Sequence, residues 1–181
     1  LKAIDLTSNP SQTNAGGSIT TGVYAGSSVG QDLLHGFNGT DGTFRNIGVQ
    51  FTGLAAGEYD VFVIARQTFT TTAHGMQVAI GAGSAGDFNF SGYTSETLTY
   101  AAGATAATAA WVEGENYVKT RLALTAGQAL NIGVYGLLAD GTSNDRAALN
   151  AIQIVAVPEP GVVMLGGLGV VVLLRRRRKH R

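Results

Sequence analysis

Residues 59–65 read Tyr59-Asp60-Val61-Phe62-Val63-Ile64-Ala65. In an extended chain successive side chains point to opposite faces, so Tyr59, Val61 and Val63 share one side. Phe62 and Ile64 make the other side apolar as well, which predicts a central strand. Working outward, Val118, Thr120, Leu122 and Leu124 alternate with Lys119 and Arg121, a strand with one wet face. Leu130, Ile132 and Val134 repeat the alternation. Ile47–Phe51, Met76–Ile80, Glu96–Tyr100, Ala109–Glu113 and Leu149–Ala156 are further strand candidates. Short Gly-bearing turns such as Ala55-Ala56-Gly57 and Ala126-Gly127 separate them. The helical rival, AAGATAATAA at 101–110, has no apolar stripe and reads as loop or strand edge. Many short strands at regular spacing predict an all-β chain, an antiparallel β-sandwich over residues 1–156.

Composition agrees. The chain has 181 residues, 45% of them hydrophobic, which suffices for one packed core. Charged residues are 13%, about half the roughly 25% of ordinary globular domains, which argues against long charged disorder and a soluble coiled coil. There is no cysteine, hence no disulfide framework, thiolate metal site or Cys nucleophile. The net charge of zero hides an asymmetry. Residues 175–181, RRRRKHR, carry six of the twelve Lys and Arg, leaving six against all twelve acids in residues 1–174. An acidic body joined to a basic end is a poor nucleic-acid ligand, since that role needs a basic face on the folded domain.

Gly161–Leu174 is an uncharged run of fourteen residues. As a helix it spans about 21 Å, short of the ~30 Å hydrocarbon core, although flanking residues and snorkelling Arg side chains extend its reach. It is expected to be a single C-terminal transmembrane helix with a marginal span. Gly166, Gly167 and Gly169 suit a membrane helix better than a helix in water, and Pro158 and Pro160 suit an extended lead into it. Moving each basic residue through the bilayer centre costs roughly 2.5–3.5 kcal/mol, so the tail is expected to stay cytoplasmic and the body to lie outside. Export of the body calls for a signal. LKAIDLTSNP has no basic region followed by an apolar one, so an upstream signal peptide outside this sequence is expected.

Val157-Pro158-Glu159-Pro160, then the apolar run 161–174, then the basic cluster 175–181, resembles a PEP-CTERM sorting signal, in that order and at the chain's end. The resemblance covers about 25 residues, and Gly161 departs mildly from the Ser or Thr of many relatives. It implies an exported protein of a Gram-negative, exopolysaccharide-producing bacterium. The precursor is anchored in the inner membrane and later belongs to the cell surface or biofilm matrix. An exosortase, a membrane transpeptidase-like protease, would recognise Val157, Pro158, Glu159 and Pro160 and remove the anchor. Arg175, Arg176, Arg177 and Arg178 would be the cytoplasmic retention signal. A plain stop-transfer anchor is the bland alternative, and it needs no Pro-Glu-Pro. In the body, Gly53–Val61 and Asn150–Val155 are similar to segments of jelly-roll surface domains, in outline galactose-binding-like carbohydrate modules. The partners implied are exosortase, the export machinery, the membrane and, in the alternative reading, polysaccharide.

Motifs for catalysis are weak. Gly26-Ser-Ser-Val-Gly30 fits a nucleophile elbow, but Gln31–Gly36 leaves hardly any room for the helix the elbow needs, so a turn is expected. Gly81-Ala-Gly83-Ser-Ala-Gly86 fits a phosphate-loop pattern, but Asp87–Ser91 then alternates as a strand would, so a loop without a phosphate site is expected. His35 and His74 have no HExxH partner. Glu113 and Glu115 read as a solvated hairpin, not an acid pair for glycoside hydrolysis. No enzyme activity is expected. Asp140, Asn144 and Asp145 cluster hard oxygen ligands in one loop, and Asn38–Asp41 forms a second oxygen-rich turn, so a structural calcium is the one cofactor considered. Trp111 and Tyr117, with Tyr93, Tyr100 and Tyr135, could form a sugar platform beside Asn116 or Arg121; Trp111 could equally be core packing.

Overall fold

The computed structural model describes residues 2–5, 11–14, 22–24, 29, 32–37, 46–66, 74–87, 90, 92–99, 110–138 and 146–158. Its strands are β1 (Lys2–Asp5), β2 (Ser11–Asn14), β3 (Asp32–Phe37), β4 (Ile47–Phe51), β5 (Gly57–Ile64) and β6 (His74–Gly83). They continue with β7 (Thr94–Thr99), β8 (Val118–Leu124), β9 (Ala129–Leu138), β10 (Arg146–Leu149) and β11 (Ala151–Ala156). A five-stranded sheet has the order β1-β4-β9-β6-β7. Two three-stranded sheets have the orders β10-β3-β2 and β11-β5-β8. Only Asn150 separates β10 from β11, so these two sheets make one layer opposite the first. All the strand pairs among the described residues are antiparallel.

The alternation read from the sequence sets the packing. In β5, Tyr59, Val61 and Val63 are buried, while Asp60, Phe62 and Ile64 are half-buried on the far side. Tyr59, Val61 and Val63 are opposite Leu122, Thr120 and Val118 of β8 and Ala156, Ile154 and Ile152 of β11. Across the sandwich, Ile47 and Val49 of β4, Met76, Val78 and Ile80 of β6, and Leu130, Ile132 and Val134 of β9 complete one apolar core. At about 25 cal/mol per Å² of buried apolar surface, this core is the main force holding the layers together.

The expected strand Ile47–Phe51 coincides with β4, and Val118–Leu124 with β8. Met76–Ile80 lies inside the longer β6, and Glu96–Tyr100 overlaps β7. Leu149–Ala156 is divided at Asn150, whose amide donates to the Ile64 carbonyl while its side-chain oxygen takes the Arg66 amide at 2.6 Å. Ala109–Glu113 is not a strand over its described residues: Glu113 makes only an isolated bridge to Tyr117. The reason is local. Asn116 Oδ1 accepts the Val112 amide at 2.7 Å, the Val112 carbonyl accepts from Glu115 and Asn116, and Gly114 adopts φ +81. The donors a ladder would need close this turn instead. As expected, Glu113 and Glu115 are exposed on it.

Gly81-Ala-Gly83-Ser-Ala-Gly86 is only partly a loop. Gly81 and Gly83 end β6, and Gly86, at φ +85, makes the turn that follows. Nor does Asp87–Ser91 continue as a strand at its described positions: the Asp87 amide donates to Ser84 and the Tyr93 amide to Phe90, both in turns. Strands β1, β2 and β3 were not legible in the sequence, being short or polar. Among the described residues no helix is long and apolar enough to cross a membrane. The hydrophobic helix expected at 161–174 lies outside the described residues.

Candidate functional site

The layer β11-β5-β8 turns its second face outward, and register fixes which side chains share it. Phe62 is opposite Gln153 on one neighbour and Lys119 on the other; Asp60 is opposite Val155 and Arg121. The turn built by Asn116 sets Tyr117 immediately before β8. Its ring lies 6.0 Å from that of Phe62, inclined at 46°. Trp111 continues the row, 6.3 Å from Tyr117 at 65°. Trp111 is 50% exposed, so the alternative of a core tryptophan is excluded. These rings, with Val29, Ile64 and Gln153, line a groove of about 420 Å³. That lies within the ~300–1,000 Å³ of ordinary small-molecule sites.

The rim of the groove is ionic. Arg121 grips Asp60 with two hydrogen bonds of 2.8 and 2.9 Å, a bidentate pair. Lys119 Nζ lies 3.6 Å from Asp60 and 5.4 Å from the Phe62 ring centre, a cation–π contact. The hydrogen bonds from Arg121 hold the Asp60 carboxyl below its ordinary value. Burial opposes them, and the charges of Arg121 and Lys119 add to the drop. The same bonds raise the Arg121 guanidinium above its ordinary value. Asn116 is buried as the turn's closing group and Arg121 holds Asp60, so neither stands open beside the rings as the sequence suggested.

Tyr93 and Tyr135 lie apart from this face. Tyr93 and Tyr135 both approach Phe90, with ring centres 5.9 and 6.3 Å from it, edge to face. They cover the outer face of the five-stranded sheet. Burial raises the Tyr135 hydroxyl above its ordinary value. Below them is a polar network that sequence reasoning missed. Gln50 and Asn131 are cross-strand partners, both buried, and Gln50 Nε2 donates to Asn131 Oδ1 at 2.7 Å. Asn131 Nδ2 donates to the Tyr93 hydroxyl at 3.0 Å and the Asp87 carbonyl at 3.1 Å. Gln50 Oε1 accepts the Gly86 amide at 2.8 Å. The signal was present as polar residues at buried-strand spacing, Val49-Gln50-Phe51 and Leu130-Asn131-Ile132. With its groups hydrogen-bonded to one another and to the β6–β7 connection, this network has the form of a structural clamp.

Among the described residues no group of three or more His, Asp or Glu could hold a metal ion. Asp140, Asn144 and Asp145 of the expected calcium loop lie outside the described residues, as do Tyr100 and Asn38–Asp41. Of the sorting residues, Val157 and Pro158 are described: the Val157 amide donates to the Glu58 carbonyl at 2.9 Å, and Pro158 is exposed. Glu159, Pro160, Arg175, Arg176, Arg177 and Arg178 lie outside the described residues.

No curated protein matches the sequence. Solved structures share its outline at low identity. A family 35 carbohydrate-binding module from Clostridium thermocellum is 12% identical, with TM-score 0.39, over 86% of this chain and 88% of that one. The K1 adhesin domain of Lys-gingipain from Porphyromonas gingivalis W83 is 17% identical, with TM-score 0.42, over 87% and 90%. An exo-β-1,3-galactanase from Phanerochaete chrysosporium is 14% identical, with TM-score 0.37, over 85% of this chain but only 29% of that enzyme. At the other end of the molecule the similarity is to a sequence signal: residues 156–179, beginning at the last residue of β11, match the PEP-CTERM protein-sorting motif.

Proposed function

We propose that the chain is an exported surface or exopolysaccharide-matrix protein, sorted through its C-terminus, with a body that performs no catalysis. The observation that carries this reading is the motif match at 156–179. In this reading residues 161–174 anchor the precursor, Arg175–Arg178 stay on the cytoplasmic side because crossing is costly, and the sandwich lies outside. An exosortase then cuts near Pro158–Pro160. The described fold supports that position for a cut, because its last ladder bond is at Val157 and Pro158 is already exposed. The test is intact mass of the mature protein from its host, with and without a working exosortase. A mass ending near Pro158–Pro160 only with the enzyme is expected. A mass that includes Arg181 in both strains would make the tail an ordinary anchor.

A second reading concerns what the body does once outside. The row Phe62, Tyr117 and Trp111 on an open face supports polysaccharide binding, since sugar rings present C–H faces that pack on aromatic ones. Glycan-array binding by the wild type that Trp111→Ala abolishes is the expected result. Equal signals from both proteins would remove the groove from this role.

A further inference from the structure

The groove on the outer face of β11-β5-β8 carries enough chemistry to narrow its occupant. We infer that it takes a single, soluble chain of neutral sugars, laid against Phe62, Tyr117 and Trp111; this rests on the polysaccharide-binding reading above. Three observations support it. First, the rings are not coplanar: successive planes are inclined by 46° and 65°. A flat crystalline polysaccharide needs rings in one plane, whereas a twisted single chain presents each sugar face at a new angle. Second, among the described residues that line the groove none is charged, and Gln153 brings the side-chain amide. Third, the nearby cations are already committed. Arg121 is bidentate on Asp60, and Lys119 divides itself between Asp60 and the Phe62 ring. Glu113 and Glu115 flank the rings on the exposed turn, and residues 1–174 carry twice as many acids as bases. An acidic polysaccharide would lose its water and counterions on this face without gaining a free cation among the described residues. A neutral chain needs only ring stacking and a few hydrogen bonds, for which Gln153 supplies both a donor and an acceptor.

Position along the strands adds to the inference. The groove lies against Ala151 and Gln153, at the start of β11, and the sorting motif begins where β11 ends. At about 3.4 Å per residue the two are roughly 15 Å apart along the strand. In the anchored precursor the groove would therefore open at the end of the sheet away from the membrane, where a polymer can reach it.

The test uses the full chain in a polyoxyethylene detergent, which carries no sugar. Mobility is followed in gels containing soluble glucomannan, xyloglucan or alginate, and depletion on microcrystalline cellulose. Retardation by a neutral soluble polymer is expected, weakened on the order of tenfold or more in Trp111→Ala and Tyr117→Ala. Gln77→Ala, on the opposite sheet, should bind as wild type. Retardation by alginate alone would overturn the neutral occupant and leave polysaccharide binding standing. Depletion by cellulose alone would overturn the single chain. Neutral binding that survives both aromatic substitutions would overturn the groove. No binding to any polymer would bring down the polysaccharide reading itself. A dimer seen by sedimentation and lost in Trp111→Ala would assign the face to a second copy of the chain and overturn the proposal.

Discussion

Tyr93 lies where side chains at positions 81 and 83 would otherwise stand. A Cβ added to Gly81 would overlap the Tyr93 ring, one added to Gly83 would meet its hydroxyl and the Asn131 amide, and one added to Gly133 would come within 2.9 Å of the Phe90 ring. These glycines pave the sheet so that two aromatic rings can cover it. Gly81→Ala is therefore expected to destabilise by about 1–3 kcal/mol, the usual cost of overpacking, as read by urea unfolding. Combining it with Tyr93→Ala should give less than the sum of the two single losses, because the clash has then gone. The paving could not be read from the sequence. A glycine-rich segment records only that side chains are missing, not which ring comes from elsewhere to fill the space. Trp111 was ambiguous for a related reason: the strand expected at Ala109–Glu113 is a turn, where periodicity no longer states which way a side chain points. Its exposure had to be seen. Gln50 and Asn131 could have been noticed as polar residues inside apolar alternation, but their partners, the carbonyls of Ser84 and Asp87, belong to a turn with no pattern of its own.

Among the elements, β5 and β8 form the pair best anticipated. Alternation is forced wherever one face is buried, since a slip of one residue would turn every apolar side chain outward. Hence β4 and β8 fell where the pattern put them. The wet face foreseen for β8 is the ionic one, with Arg121 and Lys119 meeting Asp60 across the ladder. Asp60 titrates below its ordinary value in the fold, so the pair stabilises the folded state in full above the unfolded aspartate pKa of ~3.9. The contribution fades as pH falls below that value, through the folded-state pKa. The stability difference between wild type and Asp60→Asn should accordingly be constant above about pH 5 and shrink in acid, as followed by chemical denaturation at successive pH values. Strands β1, β2 and β3 escaped notice because KAID, SQTN and DLLHGF are too short or too polar to show a period. They are defined by partners far along the chain, β3 by Leu149 opposite Leu34 and β1 by Gln50 opposite Lys2.

For the whole molecule, the sequence separated body from tail more clearly than it described the body. The tail matches a linear signal whose order is its content, whereas the groove face is assembled from β5, β8, β11 and a loop before β8. Ile152 and Ile154 of β11 pack on the core, and the last ladder bond is the one from Val157. A chain ending at Pro158 retains every described core residue and should melt as the full chain does. One ending at Asn150 loses β11 and should fail to give a cooperative transition by calorimetry. Because β11 runs directly into the residues that match the sorting motif, a pull on the tail enters the sandwich through this strand. Under load this matters. If a polymer held the groove while the membrane held the tail, tension would run lengthwise through β11 and β5. The six paired positions from Ala151↔Ile64 to Ala156↔Tyr59 would then resist together in shear, not open one after another like a zip.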